Sequence, residues 1–189
     1  MKKIQKGQYG YIRYQKKVSI IRTVILFSTA FSILMIGFYT TGTKSNALTI
    51  IAILGMLPAS KSAVNMIMFL RYHDSHLELY QNTQELVKNL PMNYDLVFTM
   101  PDKSFQVQQI ACNQNTICGY HDGDEPSLKK IQQHIGSVMQ NNHLSNVEIK
   151  IWNNYEQFSN RLQQMQEKYN VSEDTTSRQI LSLLQAISL

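Results

Sequence analysis

Two apolar runs dominate the first third of the chain, residues 23–39 and 47–70, parted only by the polar stretch 40–46. The first carries no charge, and with residues 19–22 its length at about 1.5 Å per residue reaches the ~30 Å of bilayer hydrocarbon. The second is less regular. Residues 47–57 are apolar, Pro58-Ala59-Ser60-Lys61-Ser62 interrupts, and residues 63–70 resume with Asn65 inside. So short a link forces antiparallel neighbours, so the pattern predicts a two-helix transmembrane hairpin over 18–71, with spans at about 19–41 and 47–70. Ser28-x-x-x-Ser32 and Gly55-x-x-x-Ala59 offer small-residue faces for helix packing.

Beyond residue 71 the periodicity becomes that of a water-soluble domain. Leu77, Tyr80, Leu86, Val87 and Leu90 recur at helical spacing, which predicts a helix over 71–90 continuous with the second span. Strand signals follow at 94–100, at 104–112 and at 116–120, separated by turns at 101–103 and 113–115. The middle strand alternates Phe105 and Val107 and then, after a break, Ile110. Ser127 is placed to cap a helix over 128–140, and residues 147–152 alternate strictly as a fourth strand. Amphipathic helices are predicted over 155–169 and 177–189, with a turn between them. Residues 72–189 therefore read as an α+β domain of about four strands, a three-strand antiparallel meander plus one strand, with covering helices.

Charge adds an orientation. Residues 1–70 hold nine Lys or Arg and no acid, whereas residues 71–189 hold nine basic and thirteen acidic residues. The net +5 is therefore a property of the hairpin and the basic arm at 1–17, and it gives no ground for expecting a nucleic-acid partner. Seven cations precede the first span and one, Lys44, lies in the link. The positive-inside bias then puts both termini in the cytoplasm of a multi-pass cell-membrane protein. The arm's Lys and Arg, with Tyr9, Tyr11 and Tyr14, suit an anionic lipid surface. Ser45-Asn46-Ala47 has the small residues of a signal cleavage site, but the basic segment ahead of it and the apolar run are both too long for a signal peptide.

Candidate chemistry is sparse. Lys61 falls near mid-membrane, where a charge is costly, and Pro58 and Asn65 join it in one polar break. It can bond within the hairpin or to a second protomer, line a polar path for a small pore or transport subunit, or snorkel to the inner interface. Cys112 and Cys118 flank a hairpin turn and face each other in one register but not in the next. His121 with Asp122, Asp124 and Glu125 offers metal-type donors at no recognised spacing.

The order α-β-β-β-α-β, with Pro101-Asp102 and Glu148-x-Lys150, resembles the core of restriction-endonuclease-like nucleases. That resemblance implies a metal held by Asp102 and Glu148 beside Lys150. In that family the Glu-x-Lys strand follows the Asp directly, whereas here a strand and a helix intervene. Strict alternation alone already places Glu148 and Lys150 on a strand's polar face. The expectation is thus a membrane protein that holds a cytoplasmic α+β domain at the bilayer as a regulatory, scaffold or assembly component. No cofactor is expected, and a homo-oligomer through the spans or a protein partner is. A membrane-anchored enzyme is the alternative.

Overall fold

The computed structural model describes residues 3–42, 46–144, 146–169 and 175–189. Lys44 and most of the turn expected before the final helix lie outside the described residues. The chain divides into two compact units, Ile12–His73 and the pair of segments Met1–Tyr11 and Asp74–Leu189.

The first unit is a helical hairpin of α1 (Tyr11–Thr41) and α2 (Ala47–Leu70). Both helices are long and apolar enough to cross a membrane. Gly42, at φ +63, ends α1 by sending its N–H back to Phe38 O at 3.0 Å, a left-handed cap that suits glycine. Asn46 caps α2 by accepting from Thr49 N at 2.8 Å, and its amide donates to Gly37 O at 2.9 Å. One side chain thus ties the end of one helix to the start of the next. Apart from Ile12 at the start of α1, the buried residues are small: Ser19, Thr23, Ala30 and Gly37 on α1, and Ala52, Ala59 and Ser62 on α2. Thr23 Oγ1 and Ser62 Oγ share a buried hydrogen bond of 2.9 Å. A Cβ on Gly55 would lie 3.8 Å from Ala30 Cβ, so Gly55 and Ala59 do face α1. Ser28 and Ser32 do not: both are exposed, and Ser32 Oγ donates back to Ser28 O. The helix also continues through Pro58 without a break.

The expected continuous helix over 71–90 is interrupted. Residues 71–76 are non-helical, and α3 (Leu77–Leu86) starts afresh. The cause is a tertiary contact: Ser75 N is drawn to the Asp95 carboxylate at 2.9 Å instead of to a carbonyl one turn back.

The domain contains β1 (Met92–Thr99), β2 (Ser104–Asn113), β3 (Thr116–Tyr120), α4 (Glu125–Asn141), β4 (Glu148–Trp152), α5 (Tyr155–Glu167) and α6 (Thr175–Ile187). The four strands form a mixed sheet in the order β1-β2-β3-β4, antiparallel through the meander and parallel where α4 returns the chain to β4. Helix α4 begins ahead of the expected position, with Asp124 as its N-cap residue and Pro126 in its first turn. Helices cover both faces of the sheet. On one face Ile131, Ile135 and Met139 of α4 and Ile180, Leu181 and Leu184 of α6 pack on Leu96, Phe98, Val107, Ile110 and Ile117. On the other, Phe158, Leu162 and Met165 of α5 pack with Val87 and Leu90 on Ala111, Cys118 and Tyr120.

Register decides the cysteines. Cys112 pairs with Ile117 and Ala111 with Cys118, so the two thiols point to opposite faces and into different cores. Both are free and buried, and burial pushes the Cys118 thiol up.

The outer edge of β1 is sealed by both ends of the chain. Tyr94 N donates to Gly7 O at 2.8 Å, and Leu189 N donates to Val97 O at 2.8 Å. Lys6 Nζ donates to Ser188 O at 2.6 Å. Covering an edge in this way removes a template for unwanted strand pairing. The segment ahead of α1 thus packs as part of the domain.

Candidate functional site

The most heavily constrained polar group is the cluster around Asp95 in β1. Asp95 is 3% exposed and sits at φ +53, a left-handed conformation that a non-glycine residue adopts at some cost. It stands opposite Gln108, the one rung missing from an otherwise continuous β1–β2 register. Both strands change the face they present there. Leu96 and Val107 lie on the α6 side, and so do Asn93, which donates to Leu181 O, and Ile110. This flip accounts for the break in alternation between Val107 and Ile110.

The Asp95 carboxylate gathers three segments. Its Oδ1 accepts from Ser75 N at 2.9 Å and from Gln106 Nε2 at 2.9 Å, and its Oδ2 lies 3.4 Å from Ser75 Oγ. Ser75 O in turn accepts from Tyr9 OH at 3.0 Å. The Tyr9 ring stacks on Tyr80 at 4.3 Å, and Tyr80 meets Tyr94 edge-on at 5.1 Å. Gln84 Nε2 donates to Tyr94 OH at 2.7 Å. Tyr9 precedes the first helix of the hairpin and Ser75 follows the second. The cluster therefore clamps to the domain the two stretches through which the chain leaves it and re-enters it.

Desolvation by burial raises the Asp95 pKa to about 6, against the opposing pull of the Ser75 and Gln106 hydrogen bonds. The same cause pushes Tyr94 up to about 12. A neighbouring buried network joins Thr83 Oγ1 to Gln109 Oε1 at 2.8 Å and to Tyr155 OH at 3.0 Å. These are holding interactions.

The residues singled out by the nuclease resemblance do not come together. Asp102 lies in the turn before β2, 82% exposed and 3.8 Å from Lys130. Glu148 opens β4 in register with Thr116, which pairs with Asn113 at the far end of β2. The ten residues of β2 separate the two ends by about 30 Å. Glu148 instead approaches Arg161 at 3.9 Å, and Lys150 lies over the Trp152 ring at 5.4 Å. Among the described residues no three His, Cys, Asp or Glu side chains converge on a point that could hold a metal ion. His121 Nδ1 is engaged with Gln106 O at 2.7 Å, and burial lowers its pKa.

A polar cleft of about 230 Å³ opens beside α5, lined by Asn113, Gln114, Thr116, Arg161, Gln164 and Lys168 among others. In the hairpin, Lys61, Pro58 and Asn65 are all exposed and face away from the seam with α1, so none is bonded inside the hairpin.

Sequence reasoning missed Asp95, Ser75, Gly7 and Tyr9 as a group. The broken alternation in β2 was a visible signal for Asp95, but nothing local linked it to residues 9 and 75. No family model matches the chain, and neither curated proteins nor solved structures show a significant match to it.

Proposed function

We propose that this protein is a two-span integral membrane protein that holds a cytoplasmic domain against the bilayer, as a regulatory, scaffold or assembly component. One observation carries the reading. Of the large apolar side chains left exposed among the described residues, every one except Leu77 lies between Ile20 and Leu70. A water-soluble hairpin would bury such residues and turn small ones outward; here the arrangement is reversed. In lipid it is the expected one, because helix pairs there are held by close approach and buried hydroxyl bonds. The clamp at Tyr9, Ser75 and Asp95 supports a holding role, since it fastens within the domain the segments that precede and follow the hairpin.

The orientation follows from Lys2, Lys3, Lys6, Arg13, Lys16, Lys17 and Arg22 ahead of the first span, against Lys44 alone in the link. Arg13, Lys16, Lys17 and Arg22 lie in the first turns of α1, where they also suit anionic headgroups. Single cysteines at Lys44 and at Asp124, in a chain with Cys112 and Cys118 replaced by alanine, test this in intact cells. An impermeant maleimide should label position 44 from outside and reach position 124 only after permeabilisation. The opposite pattern reverses the topology, and failure of the protein to resist carbonate extraction removes the membrane reading altogether.

A further inference from the structure

About a third of a turn around α2 from the seam residues Ala52, Ala59 and Ser62 runs a second stripe, Leu54, Pro58, Lys61 and Asn65, all exposed. It carries a cation, a carboxamide, and the carbonyl of Leu54, to which Pro58 offers no N–H. Among the described residues, no ion pair or hydrogen bond joins the Lys61 or Asn65 side chain to another group.

The inference rests on the membrane reading above. Lys61 then stands about 15 Å along the helix from Arg71 and about 21 Å from Ala47. Helical side chains lean toward the helix N-terminus, so Lys61 is carried away from the nearer interface at Arg71. The farther interface is beyond its reach. An unpaired ammonium among acyl chains is costly, and such charges pair within the bundle or with a neighbour. The hairpin cannot supply the partner, because residues 1–70 contain no Asp or Glu. A second copy lacks one for the same reason, and a symmetric pair of these stripes would set Lys61 against Lys61.

We propose that the stripe of Leu54, Pro58, Lys61 and Asn65 docks a transmembrane helix of a second protein that carries an aspartate or glutamate at mid-membrane depth. The carboxylate pairs with Lys61 Nζ, Asn65 adds a hydrogen bond one turn away, and the flat Pro58 surface lets the helices approach. Charge complementarity selects this occupant over a plain apolar helix, which leaves Lys61 unpaired.

The test uses the full chain, fluorescently labelled, in phosphatidylcholine vesicles with acceptor-labelled transmembrane peptides of Leu and Ala, about 20 residues long. Flotation with the vesicles and resistance to carbonate first confirm insertion. A protein that does not insert fails the membrane reading itself, whereas one that inserts isolates the docking step. A peptide with one central Asp should associate about tenfold more tightly than the same peptide with Leu. Lys61→Met should abolish the difference, and Lys61→Glu should shift the preference to a peptide with a central Lys. Equal association of the Asp and Leu peptides, or an Asp preference that survives Lys61→Met, overturns the proposal. So does Lys61-dependent self-association of the chain, or binding that is displaced by adding phosphatidylglycerol, since these name a second copy or a lipid as the occupant.

Discussion

The hairpin and the domain solve the packing problem in opposite ways. In the domain, the large side chains Phe98, Ile110, Ile131 and Leu184 are fully buried and make up the core. In the hairpin the small residues Ala52 and Ala59 are fully buried, while Ile53, Leu57 and Phe31 are more than half exposed. The difference is the one that the proposed membrane insertion calls for, a single chain serving two solvents. Water drives large apolar groups together in the domain. In the hairpin they have no such incentive, and stability comes from how closely two backbones can approach.

The comparison breaks first, if it breaks, at single large side chains. Phe98→Ala should cost the domain about 3–5 kcal/mol, whereas Ile53→Ala should change the stability of the detergent-solubilised chain by less than about 0.5 kcal/mol. Equal effects in denaturant titrations of the two variants would mean the hairpin is packed like a soluble core.

Asp95 gives the next largest effect and a pH dependence of defined sign. Its folded pKa is raised from 3.8 to about 6, so the folded state binds the proton more tightly than the unfolded chain. That favourable contribution is complete below about pH 4 and is lost as pH rises through about 6, amounting to about 3 kcal/mol. Asp95→Asn keeps an acceptor for Ser75 N and tolerates a left-handed φ. Its melting temperature should therefore fall less than the wild type's between pH 4 and 7. Parallel curves would show that the carboxylate does not titrate in that window.

Gly7→Ala tests the seal on β1. A Cβ there would meet Asn93 Oδ1 and Gln185 Nε2 at 2.6 Å, on a backbone at φ +82. A loss of about 1–3 kcal/mol is expected, with faster hydrogen exchange at Tyr94 N. Smallest is the seam bond of the hairpin: Thr23→Val should cost about 0.6–2 kcal/mol of helix association, measured by thermal unfolding in micelles. A larger loss would place more of the hairpin's stability in polar contacts than in close packing.

How much of this was legible in the sequence varies with how local the cause is. The strands and covering helices were readable because periods of 2 and 3.6 are written in nearest neighbours such as Glu148–Trp152. Helix α3 was expected at Leu77–Leu86, yet the predicted helix overran its end to Leu90, and its separation from α2 was missed because the agent is Asp95, twenty residues downstream. The opposite facing of Cys112 and Cys118 needed a register that only the Gln114–Asn115 turn fixes. In the hairpin, composition identified the two long apolar helices, but which small residues form the seam depends on helix rotation. Gly55 and Ala59 lie on the right side for it, whereas Ser28 and Ser32 do not.

The sealing of β1 bears on how this domain can be handled apart from its anchor. A fragment cut at residue 74 would lose Gly7 and Tyr9, leaving Tyr94 N without its acceptor and the Tyr80 ring without its stacking partner. Lys6 and Ser188, 182 positions apart in sequence, are in hydrogen-bond contact. The remedy is a circular permutation: residues 3–10 joined behind Leu189 through a short glycine-rich bridge, with the hairpin omitted. Such a rearranged chain keeps the β1 edge covered and removes only the two long apolar helices.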